Sequence, residues 1–185
     1  MNKPEEMKIR IKPVKQKAKR SQLPAELPSD YPENLPAVFI AESALASLKT
    51  FAASDLSYEL GGILIGSVGK DSKRLFVRIE NFIPARKGVS HRASFEFTNE
   101  AQQQIHEEMQ ERFRDSKIVG WFHTHPGYGI FLSNADQFID QHYFTEKWHV
   151  ALVLDPTKRD VDTGAFVWKK KGERLRVPLC LCGES

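Results

Sequence analysis

The stretch IVGWFHTHP, residues 118–126, is followed after six further residues by SNAD, residues 133–136. The apolar approach to the histidines predicts a buried strand, and Pro126 ends it because proline has no N–H to donate to a sheet. His123 and His125 are two positions apart, so on a strand both imidazoles point to the same face. Ser133 predicts the start of a helix that carries Asp136 in its first turn. The stretch therefore predicts two imidazoles and one carboxylate in one compact unit.

Two imidazoles and a carboxylate form a zinc ligand set that leaves a fourth position open for water, as catalytic zinc sites do. Each piece also has a simpler interpretation. Ser133-x-x-Asp136 matches a helix capping box, and two histidines on a strand can be a surface pair. Five such positions in register are expected by chance in fewer than roughly one in a thousand chains of this length. The combination therefore favours a metal site, and a capping role for Ser133 is compatible with it.

These residues resemble the JAMM (JAB1/MPN/Mov34 metalloenzyme) family, whose signature is HxHPx(6)SxxD with an upstream glutamate. His123, His125, Pro126, Ser133 and Asp136 fit that signature without a gap. The resemblance extends over roughly residues 36–177: the stretch ELGGILIG at 59–66 is similar to the family's glutamate strand, and GYG at 127–129 looks like the proteasome-lid and COP9-signalosome isopeptidases. It implies an α/β (α+β) fold of the MPN/JAMM type, a curved mixed sheet flanked by helices that is similar to cytidine deaminase.

The resemblance also implies an activity. It is that of a zinc-dependent, deubiquitinase-like isopeptidase that hydrolyses the bond after the C-terminal tail of ubiquitin or a ubiquitin-like protein. One catalytic Zn²⁺ would be held by His123, His125 and Asp136. Glu59 would act as general base, and Ser133 would donate a hydrogen bond to the oxyanion. The implied partners are the ubiquitin-like substrate and other components of a conjugation system, and the short chain fits a prokaryotic system of this kind.

Residues 87–97 occupy the position of the family's first insertion, which can clamp the substrate tail as an added strand. We expect the segment from 91 to 97 to be mobile in the free protein and to become ordered on substrate. The predicted substrate-binding residues are His91, Arg92, Ala93, Ser94, Phe95, Glu96 and Phe97.

Other functions remain open at this point. The same chemistry could act on a small sulfur-carrier protein, although the GYG match argues modestly against it. A non-catalytic interaction module, with a structural metal or none, would be unaffected by Glu59→Gln. Four further histidines lack a partner at ligand spacing and are interpreted as surface or core residues, with His142 also a candidate for supporting the ligands from its helix. They are His91, His106, His142 and His149.

Composition and charge narrow the class of protein. A chain of 185 residues with 41% hydrophobic and 28% charged residues is typical of one soluble domain, without a stretch as apolar as a membrane helix or signal peptide. Cys180 and Cys182 are too close for a disulfide, which favours a reducing, cytoplasmic setting. Residues 1–20 hold eight basic and two acidic residues, whereas the rest holds 19 basic and 22 acidic residues. The acidic body argues against a nucleic-acid-binding domain.

Prolines at positions 24, 28, 32 and 36 favour extended chain before the first element. We therefore predict a basic, proline-rich tail over residues 1–34, a catalytic domain over 35–179 and a short C-terminal tail over 180–185. The periodicity predicts helices over 41–53, 98–114 and 133–145, an exposed loop over 84–94, and strands over 38–40, 59–68, 74–83, 95–97, 118–123, 149–154, 165–169 and 175–179.

Overall fold

The structure, a computed structural model, describes residues 27–71, 74–86, 88–91 and 94–183. Its helices are α1 (Glu42–Ala52), α2 (Asn99–Arg112) and α3 (Asn134–Tyr143). Its strands are β1 (Ala37–Ala41), β2 (Gly61–Lys70), β3 (Leu75–Pro84), β4 (Val89–His91), β5 (Ser94–Glu96), β6 (Lys117–Thr124), β7 (Val150–Asp155), β8 (Asp162–Lys170), β9 (Glu173–Val177) and β10 (Leu179–Cys182).

Eight strands form one mixed sheet in the order β10-β1-β3-β2-β6-β7-β8-β9. β1 is parallel to both its neighbours and β6 is parallel to β7, while the other pairs are antiparallel. The sheet is curled and has helices on both faces, so the predicted α/β class is confirmed. No helix within the described part of the chain is long and apolar enough to cross a membrane.

Each face of the sheet has its own hydrophobic core. The α1 core contains Ala44, Leu48 and Ala52 of α1 against the sheet. The α2–α3 core contains residues of the other two helices, with Ile105 of α2 and Ile139 of α3 among them. Side chains of β6 alternate between the two faces of the sheet. The face to which the histidines at its end point therefore decides on which side of the sheet the site lies.

A bulge in β6 sets this alternation. Val119 is an extra residue relative to β2, because Leu64 pairs with Gly120 but Ile65 pairs with Ile118. Glycine is required at position 120, since a Cβ there would lie 1.9 Å from the carbonyl oxygen of Val150. Beyond the bulge, Trp121 joins the α2–α3 core and Phe122 joins the α1 core. The two histidines that follow are two and four positions after Trp121, so they point to the same face, that of the α2–α3 core.

The predicted ends of the domain are corrected by the structure. Before residue 35, Tyr31 is already buried: its hydroxyl donates to the carbonyl of Pro36 at 2.9 Å and accepts from the amide of Val38 at 3.0 Å. At the other end, the supposed tail from residue 180 belongs to β10, which pairs with β1 in parallel. Packing therefore includes residues on both sides of the predicted limits, while residues 1–26 lie outside the described part.

The predicted exposed loop over 84–94 is also partly wrong, because β4 and β5 form a separate hairpin in which Ser90 pairs with Phe95. The Phe95 side chain is buried over the start of β2, where a Cβ on Gly61 would lie 2.6 Å from its ring. Phe97 meets Phe95 edge-on, with ring centroids 5.0 Å apart. The base of the hairpin is thus seated beside the segment that carries Glu59. Arg92 and Ala93 lie outside the described residues.

Candidate metal centre

The three residues predicted to bind metal lie together at the end of β6. Nε2 of His123 is 3.0 Å from Nε2 of His125. Oδ1 of Asp136 lies 3.3 Å from the first of these nitrogens, and Oδ2 of the same carboxylate lies 3.5 Å from the second. All three side chains are buried. The structure therefore places three potential ligand atoms in one small, nearly water-free space.

His125 is oriented by the turn that follows it. Its Nδ1 lies 3.1 Å from the carbonyl oxygen of Gly129, which can only accept, so Nδ1 carries the hydrogen and Nε2 keeps its lone pair. The turn bends back because Gly127 and Gly129 adopt φ values of +81° and +82°, which favour glycine. Asp155 at the end of β7 fixes the turn by accepting from the amide of Gly127 at 3.0 Å.

His123 is held in a different way. It is fully buried, and its Nδ1 has no hydrogen-bond partner among the residues that the structure describes. Its ring instead stacks on the indole of Trp121, with centroids 4.5 Å apart and planes 15° from parallel. The apolar approach to the histidines is thus buried, as predicted, but Trp121 also contacts the site.

Asp136 fits both interpretations of its motif, the helix cap and the candidate metal ligand. The Ser133 side chain accepts from the amide of Asp136 at 3.2 Å, and the Asp136 carboxylate accepts from the amide of Ser133 at 2.7 Å, which completes a capping box. Burial alone would raise the pKa of this carboxyl, but the adjacent imidazoles of His123 and His125 and a hydrogen bond from Ser133 hold it well below its usual range. The cap therefore fixes an ionised carboxylate towards the two imidazoles.

Glu59 stands on the His125 side of the cluster. Its Oε1 is 3.8 Å from Nε2 of His125, and within the described chain its Oε2 has no hydrogen-bond partner. Its position is fixed through Leu60, which exchanges two 2.8 Å hydrogen bonds with Thr124 at the end of β6. Burial raises the pKa of Glu59 to about 7, against the lowering effect of His125. This carboxyl can therefore take up and release a proton near neutrality.

The spacing of the cluster fits a zinc ion. Ligand atoms about 2.0–2.1 Å from a tetrahedral zinc lie about 3.3 Å from one another. The distances of 3.0, 3.3 and 3.5 Å among His123, His125 and Asp136 agree with that value. Two imidazole nitrogens directed at each other also require a cation or proton between them. Burial lowers the pKa of His123, and although it acts likewise on His125, the carboxylates of Asp136 and Glu59 outweigh it and raise the pKa there.

Some predicted residues do not join the cluster, and others were missed. His142 is exposed and stacks on Phe138 with centroids 4.0 Å apart, so it does not support the ligands. Asp140 was missed although it lies one helical turn after Asp136, a spacing that places both on one face of α3. The aromatic rings of Tyr128 and Phe131, about half exposed beside His125, were also not predicted.

Comparison with known proteins agrees with this geometry. Residues 34–147 match the family described as JAB1/Mov34/MPN/PAD-1 ubiquitin protease. COP9 signalosome complex subunit 5 of Caenorhabditis elegans is 32% identical over 143 residues, which are 73% of this chain and 38% of that protein. Subunit 5a of Arabidopsis thaliana is 30% identical over 152 residues, 75% of this chain and 40% of that protein. The chain thus spans less than half the length of these relatives.

A solved structure supports the fold alone. The solution structure of protein DSY2949 from Desulfitobacterium hafniense superposes with a TM-score of 0.61 at 17% identity, over 80% of this chain and 94% of that one. The family match covers the elements from β1 to α3 and includes both histidines, Ser133 and Asp136. With the metal-ligand cluster and the mixed sheet already described, the chain belongs to the JAB1/Mov34/MPN/PAD-1 ubiquitin protease family.

Proposed function

We propose that this protein is a zinc-dependent isopeptidase that hydrolyses the bond after the C-terminal tail of ubiquitin or a ubiquitin-like protein. The observation that carries the proposal is the zinc-compatible spacing of His123, His125 and Asp136, with the unpaired carboxylate oxygen of Glu59 next to them. Membership of a family described as ubiquitin proteases supports the reaction class.

In this proposal, His123, His125 and Asp136 hold the ion. Zinc, when bound, would polarise the scissile carbonyl and lower the pKa of water. Glu59 removes the proton of the attacking water and returns it to the departing amine. Its Oε2 is free of other described hydrogen bonds, and a pKa of about 7 suits both directions of transfer.

Ser133 has a second role beside capping. Its oxygen accepts from the amide of Asp136, and its hydroxyl hydrogen, which is shared with the Asp136 carboxylate in the free protein, can turn to a substrate oxygen. We place that donor against the oxyanion that forms on the scissile carbonyl. Since the capping box fixes Ser133 before substrate arrives, the donor oxygen is already in place when charge develops.

The β4–β5 hairpin is the proposed seat of the substrate tail. An extended peptide adds to an exposed strand edge through main-chain hydrogen bonds, and the hairpin is a separate two-stranded sheet beside Glu59. The proposed contacts comprise His91, Arg92, Ala93, Ser94, Phe95, Glu96 and Phe97. The buried Phe95 ring anchors this segment, so the outer positions are left to meet the substrate.

The test pairs zinc content by mass spectrometry with cleavage of a ubiquitin-like fusion protein. The wild type should contain one zinc per chain and cleave the fusion, whereas Glu59→Gln should keep its zinc and lose about 10²–10⁴-fold in kcat. Glu100→Gln, which changes an exposed glutamate on α2, is the matched control and should behave as wild type. A Glu59→Gln protein as active as wild type would exclude the proposed base, and a zinc-free, inactive wild type would favour a non-catalytic interaction module.

A further inference from the structure

A buried ion pair lies next to Trp121, the residue whose ring stacks on His123. Nη2 of Arg174 on β9 donates to Oδ1 of Asp140 on α3 at 2.6 Å. Both side chains are almost completely buried, at 0% and 4% exposure. Desolvation opposes such a pair, and apolar residues often stabilise a core as well or better. Fold stability alone is therefore a weak reason for placing two charges here.

Asp140 is connected to His123 through one residue, Trp121. Its Oδ1 also accepts from Nε1 of Trp121 at 2.9 Å, and this hydrogen bond fixes the plane of the indole. The indole lies flat against His123, whose Nδ1 has no hydrogen-bond partner in the described chain. The direction of the His123 lone pair therefore depends on Trp121, and the indole plane depends on Asp140.

Asp140 also reaches Asp136 through α3. The two residues are four positions apart, so they share one face of the helix. Arg174 is itself fixed to the sheet: one of its nitrogens donates to the carbonyls of His149 and Phe166, and its guanidinium stacks on Trp168 at 4.0 Å. The ion pair consequently ties the helix that carries Asp136 to the far strands of the sheet.

From these contacts we infer that Asp140 and Arg174 are positioning residues of the metal centre, which orient His123 through Trp121 and Asp136 through α3. The inference rests on the proposed metal binding and extends it to residues that do not touch the ion. Neither residue faces the open side of the site, so neither contacts the substrate.

The first experiment measures zinc affinity by competition with a chromophoric chelator. Asp140→Asn should bind Zn²⁺ about 10–100-fold more weakly than wild type, the usual effect of losing a group that orients a metal ligand. Asp160→Asn is the matched control: its carboxylate makes an ion pair of the same 2.6 Å length with Lys49, but on the surface, and its affinity should be unchanged. A folded Asp140→Asn protein with wild-type affinity would overturn the inference.

The second experiment separates positioning from folding. The double variant Asp140→Leu/Arg174→Met removes both charges, so its metal-free form should unfold in urea at a midpoint near that of wild type. Its zinc affinity should nevertheless stay lowered at least about 10-fold, because Trp121 has lost its acceptor. Wild-type affinity in this variant would show that the pair serves folding only.

Two further measurements keep the inference testable if those variants do not fold. Trp121→Phe retains a ring against His123 and the ion pair but removes the Nε1 donor, and it should also bind zinc more weakly; unchanged affinity would overturn the inference. Where cleavage is measurable, the kcat of Trp121→Phe should be lower than that of the wild type, and its KM should be unchanged. A wild type that binds zinc but cleaves nothing removes the proposed reaction and leaves this inference standing, whereas a wild type that binds no zinc removes both.

Discussion

The two histidines of the candidate metal centre are held by opposite means. His123 is fully buried, has no described hydrogen bond at Nδ1 and is fixed by stacking on Trp121. His125 is fixed by a hydrogen bond to the carbonyl of Gly129 in a turn. The first belongs to the sheet and its core, whereas the second belongs to the loop that faces solvent.

The surroundings of the two histidines differ in the same way. Behind His123 lie Trp121, Asp140 and Arg174, all buried. Beside His125 lie Tyr128 and Phe131, each about half exposed. Glu59 also stands on the His125 side. Both imidazoles are buried, but the neighbours of His123 belong to the core whereas those of His125 reach the surface.

The largest expected effect comes from the residue that joins the two sides. Asp136 contacts both imidazoles, so Asp136→Asn should remove the charge that neutralises the ion and reduce bound zinc below stoichiometry. Cleavage of a ubiquitin-like fusion should fall at least about 10³-fold. Zinc analysis and steady-state kinetics check this, with Asp160→Asn as the control. Full zinc content in Asp136→Asn would show that the carboxylate is not a ligand.

A smaller effect is expected at Asp155, which holds the turn that follows His125. Asp155 accepts from the amide of Gly127 and from both the amide and hydroxyl of Thr157. Asp155→Ala leaves these donors unpaired and should lower the free energy of unfolding by about 1–3 kcal/mol. Zinc affinity should fall about 10-fold as His125 loses its orientation. Urea unfolding and chelator competition measure the two effects; unchanged affinity in the folded variant would show that the turn does not orient the ligand.

The exposed aromatic rings should affect substrate more than structure. Tyr128→Ala removes a side chain that is 48% exposed, so the free energy of unfolding should change by no more than about 0.5 kcal/mol. Zinc affinity should be unchanged, and KM for a ubiquitin-like fusion should rise several-fold. Leu181→Ala, equally exposed on β10, is the control and should leave KM unchanged. A loss of zinc from Tyr128→Ala would contradict the division between the two sides.

The smallest effect at neutral pH concerns acid stability on the buried side, because it develops only as the pH falls. Burial lowers the pKa of His149, whose ring packs against Phe144, to about 4. The unfolded chain therefore binds a proton that the folded chain refuses between pH 6.5 and about 4, and stability falls as the pH drops through this window. His149→Gln should show a shallower fall in urea unfolding at pH 7, 5.5 and 4. An identical pH dependence in both proteins would contradict this assignment.

The sequence predicts the candidate ligands of the site better than the residues that surround them. His123, His125 and Asp136 are residue types that bind zinc, and they lie close together in the sequence. The cluster is therefore predictable without a structure. Glu59 is not distinguishable from other acidic residues by local pattern, and only the family resemblance singles it out. The pairing of Asp140 with Arg174 joins residues 34 positions apart across α3 and β9, which no periodicity reveals.

The missed strands have similar causes. Val89-Ser90-His91 of β4 is short and follows a charged turn, so its pattern does not differ from that of a loop. β10 alternates two leucines with Cys180 and Cys182, and it follows so closely on β9 that the pattern suggests one strand and a tail. Its pairing with β1 depends on a contact between the two ends of the chain. Local propensity cannot predict contacts of that range.

The extra residue in β6 has an evolutionary consequence. Side chains alternate along a strand, so a β6 that kept Val119 but paired with β2 without the bulge would place every later side chain on the opposite face. Both imidazoles would then point into the layer beneath α1, and Phe122 would point towards Asp136. Deleting Val119 instead keeps the register on both sides, because Ile65 stays opposite Ile118 and Leu64 stays opposite Gly120. A distant homologue can therefore lack this residue and keep both imidazoles on the same face, so a one-residue gap before the motif does not mark it as incompetent.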